Sequence, residues 1–353
     1  MTSYEIVLKN ITFGSPERIA LKYPTLGKGD MVRLFLQRPR ACRKPGEEPD
    51  MTKKAVPIPG ETDEWGIRWE NSDSKSGLGL GQPVGFPIKD WEESYQSYVM
   101  PDPYEPGRFD GLEKALEAAG REEKWVQLNS QYCIFERLHF LRGFENTLVD
   151  LYTNEEELTE LCDRLLDYQL GIVRQAAELG KGRIHSIDTS DDWGTQNALM
   201  INPAMWRKVF KPRYKILADE MHEHGIYMNF HSCGYITDIM EDLIEIGVDI
   251  VNIHQPNLLH LKEFGQRFAG RICFDVAVDI QETLPTGDKG KIEQEVKDLI
   301  RYWGTKEGGL IAAEYRFLDA IGATRESFEY AFQCFERYGD LNRKNAEKEK
   351  EMI

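Results

Sequence analysis

The sequence predicts an α/β fold, a (β/α)8 barrel with an elaborated N-terminal excursion of loops and hairpins. From residue 109 onward, short apolar segments alternate with helical patterns, which indicates parallel strands joined by crossover helices. The length of 353 residues suits one barrel domain. No glycine-rich dinucleotide-binding turn follows any of the apolar segments, so an open nucleotide-binding sheet is disfavoured.

The first third of the chain does not show the strand–helix alternation that begins at residue 109. Residues 15–18 (Ser-Pro-Glu-Arg) predict a helix start, because Ser is favoured at the N-cap and Pro at the first helical position. Residues 31–36 predict a first short strand. Residues 37–108 are rich in Pro, Gly, Trp and Tyr, and we expect an ordered excursion that covers one end of the barrel. We expect residues 1–340 to form a single domain and 341–353 to be a charged, frayed tail.

The alternating part predicts at least six strand–helix units. The predicted strands are 125–128, 184–188, 226–230, 249–253, 271–274 and 310–313. The predicted helices are 109–119, 135–149, 155–179, 203–224, 235–246, 257–268, 289–303 and 324–338. In a barrel of this kind the active site is built from the C-terminal ends of the strands and the loops after them.

Composition limits the partners and the compartment. The formal net charge of −16 disfavours non-specific binding to nucleic acid or to an anionic membrane surface, and leaves a basic protein partner possible. Six scattered cysteines suit a reducing cytoplasm better than a disulfide framework. We expect a cytoplasmic protein without a signal peptide or a transmembrane segment.

The segment His231-Ser232-Cys233-Gly234 carries the most specific chemical signal. It follows a predicted strand, and side chains two apart on a strand point the same way. An imidazole and a thiolate aimed at one point make half of a zinc site, although a buried His and a buried free Cys are the alternative. Two residues are candidates for a third ligand. Cys273 could face the same barrel interior, and Glu314 follows the last predicted strand.

Other polar residues follow the predicted strands. Asp191 and Asp192 could supply a general base or a hydrogen-bond anchor, and the alternative for Asp191 is helix N-capping. The six histidines other than His231 are read as ordinary.

Four segments resemble the uroporphyrinogen decarboxylase superfamily, and more narrowly its corrinoid-dependent methyltransferase branch. They are 231–234, 191–196, 206–214 and 279–285, and the likeness covers roughly residues 60–340. The resemblance implies a (β/α)8 barrel with the site at its C-terminal mouth. Residues 35–40 match poorly the segment that grips porphyrinogen carboxylates in the decarboxylases, which disfavours decarboxylation.

The resemblance also bears on the metal ligands. Thiol-methylating members bind zinc through His-x-Cys and a later Cys near the last strand, where this chain has Glu314. Members that demethylate aryl methyl ethers have two cysteines at the spacing of Cys233 and Cys273, but Met205 stands at the position of their acidic residue. The metal set is therefore His231 and Cys233 with Cys273 or Glu314.

The resemblance implies an aryl-methyl-ether O-demethylase methyltransferase, assisted by zinc, that passes a methyl group to the corrinoid (cobalamin) of a partner protein. His231, Cys233 and Asp192 are the expected catalytic residues, and a homodimer is possible. The expected substrate-binding residues are Tyr132, Phe135, Asp191, Trp193, Gln196, Asn229 and Gln255. Two alternatives stay open. One is transfer from a methylcorrinoid to a thiol or to tetrahydrofolate, and the other is a metal-free barrel that binds a tetrapyrrole.

Overall fold

A parallel β-sheet rolled into a barrel dominates the computed structural model, which describes residues 1–55, 57–70 and 81–341. The strands are β1 (Ala20–Tyr23), β2 (Lys28–Gly29), β3 (Met31–Phe35), β4 (Arg68–Glu70), β5 (Gln82–Gly85), β6 (Trp125–Tyr132), β7 (Ser186–Ser190), β8 (Tyr227–His231), β9 (Ile250–Ile253), β10 (Cys273–Val276) and β11 (Leu310–Ala313). The helices are α1 (Ser3–Ile11), α2 (Leu112–Arg121), α3 (Phe135–Arg142), α4 (Phe144–Thr153), α5 (Glu155–Gly180), α6 (Pro203–Val209), α7 (Lys211–Glu223), α8 (Met240–Glu245), α9 (Leu261–Phe268), α10 (Lys289–Tyr302), α11 (Leu318–Ile321) and α12 (Arg325–Tyr338).

The strand order confirms the barrel prediction. Parallel pairing runs β1-β11-β10-β9-β8-β7-β6-β3, with β2 antiparallel on the outer side of β1. The two ends of this array, β1 and β3, contact each other. Among the described residues no ladder of hydrogen bonds joins them. The barrel is therefore closed except for a seam between β1 and β3.

Helix α1 closes the N-terminal end of the barrel. Its apolar residues Ile6, Val7 and Ile11 pack against Trp125 and Met31, which lie at the starts of β6 and β3. A capping box between Thr2 and Glu5 begins this helix, so the prediction of a helix start at residues 15–18 was wrong. With one end closed, the polar strand ends at the other end form the accessible mouth.

The described part of the 37–108 excursion is ordered and packs beside the mouth. Trp65 is buried, lies 4.7 Å from the ring of Tyr168 on α5, and has the guanidinium of Arg137 stacked over it at 4.0 Å. Arg108 pairs with Glu64 at 2.6 Å. Within the described ranges, no helix combines the length and the apolar character that crossing a bilayer requires.

Several predicted element boundaries were shifted. The predicted helix 135–149 is two helices that meet at Gly143, where φ is 89°. The predicted helix 203–224 is likewise split, at Phe210. The predicted strand 271–274 is β10, two residues later. The expected C-terminal tail lies outside the described residues from position 342 onward.

Candidate active site

Two side chains at the end of β8 meet at one point. The Nε2 atom of His231 lies 3.4 Å from the Sγ atom of Cys233. Two ligands of a tetrahedral zinc ion, each about 2.0–2.3 Å from the metal, are roughly 3.5 Å apart. The two side chains therefore have the separation that one shared zinc ion requires.

His254 supplies a third donor beside this pair. It follows β9, the sheet neighbour of β8, and its ring centroid is 4.6 Å from that of His231. The candidate ligand atoms of His231, Cys233 and His254 all lie within 4.8 Å of one another. We call these three residues the His–Cys–His cluster.

A hydrogen bond orients His231, and burial affects the pKa of His254. The Nδ1 atom of His231 lies 3.1 Å from the carbonyl oxygen of Asn252. Because a carbonyl only accepts, Nδ1 is the donor in this contact, which leaves Nε2, on the side of Cys233, as the atom that would bind a metal. Burial lowers the pKa of His254 well below its usual range, and the nearby His231 lowers it further, so this imidazole is neutral.

Two carboxyl groups flank the cluster. Asp192 Oδ1 accepts a hydrogen bond from the backbone N–H of Cys233 at 2.8 Å and lies 3.5 Å from His231 Nε2. The carboxyl group of Glu136 accepts a hydrogen bond from the Ser190 hydroxyl at 2.6 Å. Burial raises the pKa of the Cys233 thiol well above its usual range, and Asp192 and Glu136 raise it further. Negative potential around a thiol and two imidazoles favours a bound cation, so the residues present fit zinc.

Two glycines allow the loops after β7 and β8 to approach closely. A Cβ on Gly234, where φ is 78°, would lie 2.2 Å from the carbonyl oxygen of Gly194. A Cβ on Gly194 would in turn lie 2.4 Å from the backbone of Gly234. Neither position accepts a side chain, and the contact between the two loops keeps Asp192 next to the N–H of Cys233.

Three predicted substrate-binding residues belong to the core instead. Asp191 is fully buried and accepts hydrogen bonds at 2.8 Å from the backbone N–H groups of Ile134 and Glu136, where α3 begins. Phe135 and Trp193 are fully buried and stack with 3.8 Å between ring centroids. We correct their expected contact with a ligand, because each of them is enclosed by protein.

Cys273 lies too deep in the barrel to join the cluster. Strand register pairs His231 with Asn252 and Asn252 with Asp275, so Cys273 is two residues below the level of His231. Two strand residues correspond to roughly 6.5 Å. Cys273 packs in the apolar cluster under α1. Asn229 also faces the interior below the mouth, where its amide donates to Asp275 Oδ2 at 2.9 Å.

The other predicted residues lie around the mouth without joining the cluster. The carboxylate of Glu314 accepts hydrogen bonds from the backbone N–H of Thr25 at 3.0 Å and from its hydroxyl at 2.5 Å. Gln255 accepts from the backbone N–H of Gly234 at 2.7 Å, so it supports the loop after β8. Tyr132 is half-buried at the end of β6, and Gln196 is exposed on the loop after β7.

Comparison with known proteins identifies the family. Residues 133–313, just over half of the chain, match the uroporphyrinogen decarboxylase (URO-D) family. The chain belongs to the uroporphyrinogen decarboxylase family. This confirms the superfamily that the sequence segments resemble. No curated protein matches the sequence.

Several solved structures have folds similar to that of this chain. A methyltransferase from Methanosarcina mazei superposes with a TM-score of 0.60 over 95% of this chain and 85% of that chain, at 13% identity. A 3-keto-D-glucoside 4-epimerase from E. coli gives 0.42 over 64% and 85%, at 13% identity. Xylanase 10B from Thermotoga petrophila RKU-1 gives 0.40 over 68% and 82%, at 13% identity. At 13% identity, the likeness to the Methanosarcina mazei methyltransferase shows the fold alone.

Sequence reasoning missed two residues of this URO-D barrel. His254 was read as an ordinary histidine, although it directly follows the strand next to that of His231. Glu136 was given no role. The signal that could have found both is adjacency: consecutive parallel strands place their following residues side by side at the mouth.

Proposed function

We propose that this protein is the methyltransferase component of a corrinoid-dependent O-demethylation system. It would move a methyl group from a methoxylated aromatic compound to the cobalt of a separate corrinoid protein. The observation that carries this proposal is the convergence of His231, Cys233 and His254 at the mouth of a URO-D-family barrel. The fold likeness to a methyltransferase is consistent with it.

The His–Cys–His cluster would hold the zinc ion. Three protein ligands leave a fourth position open, which is the arrangement of catalytic rather than structural zinc. When bound, zinc supplies a Lewis acid that stabilises negative charge on the departing ether oxygen. The hydrogen bond from His231 Nδ1 to Asn252 orients the first imidazole.

Glu136 is the proposed proton donor to the leaving phenolate. Burial and the neighbouring carboxyl groups of Asp192 and Asp191 raise the pKa of Glu136 well above its usual range, which favours its protonated form. In the proposed step the methyl–oxygen bond breaks and a methyl–cobalt bond forms with the electron pair of Co(I). The aryl oxygen then takes the proton of Glu136 and leaves as a phenol, and solvent returns a proton to the carboxylate.

Asp192 and two tyrosines would position the reactants. Asp192 holds the loop that carries Cys233. Tyr315 lies 5.2 Å from the ring of His254, and Tyr132 is half-buried at the end of β6. Half-buried aromatic rings of this kind suit the faces of an aryl substrate.

The test is anaerobic methyl transfer with the purified full chain. The enzyme, cob(I)alamin and a methoxylated phenol should give methylcobalamin and the demethylated phenol in equal amounts. Cys233→Ala should abolish both products while the far-UV circular dichroism is unchanged. Methylation of a thiol from methylcobalamin, with no cobalt methylation from a panel of methoxyarenes, would instead support the reverse direction.

A further inference from the structure

A cavity of about 460 Å³ opens along the seam between β1 and β3 and reaches the His–Cys–His cluster. Asn252 and His254 line it on the cluster side. Its charged lining is mainly cationic, with five basic side chains (Lys22, Lys28, Arg33, Lys124 and Arg316) against Glu122 and Glu314. This contrasts with the chain as a whole, whose formal net charge is −16. The volume is that of a small-molecule site.

Most of these cations are already neutralised or lie away from the cluster. Lys22 forms a buried ion pair with Asp275, and Lys124 pairs with Glu122 at 3.2 Å. Lys28 lies over the ring of Phe332, on α12. What remains near His254 is Arg33 and Arg316.

Arg316 lies near His254 and has no carboxylate partner in the described part of the chain. Within residues 1–55, 57–70 and 81–341, no carboxylate forms an ion pair with it, and Glu314 is held by Thr25 instead. Its guanidinium lies 5.2 Å from the ring centroid of Phe35, and that of Arg33 lies 5.3 Å from the same ring. Arg33 donates to Asp188 at 2.5 Å, but its buried Nε has no partner in the described part of the chain.

Lys54 adds a third cation from the excursion. Its ammonium lies 5.2 Å from the ring of Tyr132 at the mouth. Burial, together with the neighbouring Arg33 and Arg316, lowers the pKa of Lys54 to about 8. Burial and Arg33 also lower the pKa of Arg316. Because these three cations lie close together, each disfavours the charged form of the others. A bound anion would stabilise all three charges.

We infer that Arg316, Lys54 and the free Nε edge of Arg33 bind a carboxylate on the small methyl donor, whose methyl ether points toward His254. This assignment rests on the proposed function, because it names the substrate class of the same site. Guanidinium groups bind carboxylates with two parallel hydrogen bonds, which also fixes the orientation of a planar ligand. A neutral methoxyarene has no anionic group that could pair with these cations.

Binding of the demethylated product tests the inference without any methyl transfer. Calorimetric titration of the full chain should show 4-hydroxybenzoate binding roughly 10- to 100-fold more tightly than 4-hydroxybenzamide, the difference that charge-assisted hydrogen bonds give. Arg316→Gln should remove most of this preference, and Arg316→Lys should keep part of it. Arg301→Gln is the matched control, since Arg301 is an exposed arginine lying 5.5 Å from the ring of Tyr302 on α10.

The outcomes separate this inference from the proposed function. Acid and amide binding equally, or an acid preference that survives in a folded Arg316→Gln protein, overturns the carboxylate site even if methyl transfer is observed. A preference lost in Arg316→Gln supports it even if no methyl transfer is found. Inorganic phosphate is the third arm: tighter binding of phosphate than of 4-hydroxybenzoate would assign the cations to a phosphate group and overturn the carboxylate assignment.

Discussion

Glu295 is a buried carboxyl group that makes the stability of this barrel depend on pH. It accepts a hydrogen bond from the backbone N–H of Asp279 at 2.6 Å and another from the hydroxyl of Thr283. It thereby holds the loop after β10. Burial raises the pKa of Glu295 to about 7, and the hydrogen bonds to Asp279 and Thr283 only partly offset that effect. We predict that Glu295→Gln removes a stability loss that the wild type undergoes between weakly acidic and weakly basic pH.

The sign and the size follow from linkage. A raised folded-state pKa gives stability that is complete below the unfolded pKa of about 4.3 and is lost as pH rises through about 7. Protonation of Glu295 therefore stabilises the folded state by about 1.4 kcal/mol more at about pH 6 than at about pH 8.5. Glutamine resembles the protonated acid and does not titrate. The unfolding free energy of Glu295→Gln, minus that of the wild type, should therefore rise by about 1.4 kcal/mol over this range.

Urea unfolding at the two pH values measures this difference. The matched control is Glu293→Gln on the same helix, because Lys297 and the hydroxyls of Tyr338 and Tyr330 lower the pKa of Glu293 to about 2. Its stabilising contribution is complete throughout this pH range, so its effect should be equal at both values. The reasoning is refuted if Glu295→Gln differs from the wild type by the same amount at both pH values.

Three further predictions concern the interior and the mouth. The purified protein should contain about one zinc per chain. His254→Ala should lower the zinc content sharply, whereas Cys273→Ala should leave it unchanged. Equal losses of zinc in the two variants would exclude the His–Cys–His cluster as the metal site. Glu136→Gln should slow demethylation more for phenols of high pKa than for activated ones, as the slope of log kcat against leaving-group pKa measures. Lys22→Met should cost about 3–5 kcal/mol in urea unfolding, because it strands the buried Asp275 carboxylate; a change under about 1 kcal/mol would contradict the pairing.

Periodicity was enough to predict the barrel and the His231–Cys233 pair. Strand–helix alternation has few compact solutions, and a period of two fixes that residues two apart face the same way. β1 was missed because Lys22 interrupts its apolar pattern. That lysine is buried through its ion pair with Asp275, a partner more than 250 positions along the chain, which local sequence does not reveal.

Cys273, one of the two candidates for the third ligand, lies below the mouth because the strand that carries it ends two residues later than predicted. The predicted strand 271–274 would place Cys273 near the C-terminal end, where ligands belong. The observed strand begins at Cys273, so the same residue lies at the closed end of the barrel. Strand ends are set by register with neighbouring strands, which a single sequence specifies poorly.

Acidic and basic groups lie on different sides of the mouth, and this arrangement limits the orientation that a methyl donor can adopt there. The carboxyl groups of Glu136 and Asp192 follow β6 and β7, and the His–Cys–His cluster follows β8 and β9. The cations Arg33 and Arg316 belong to β3 and to the segment after β11, on the seam side. A methoxylated aromatic acid spans such a site in one orientation, with its carboxylate toward the seam and its ether oxygen toward the cluster and Glu136. The reverse orientation would bring its carboxylate against two carboxyl groups and leave Arg316 without a counterion. Under the proposed function, para-substituted donors should therefore react faster than ortho-substituted ones, whose two groups cannot reach both sides of the mouth at once.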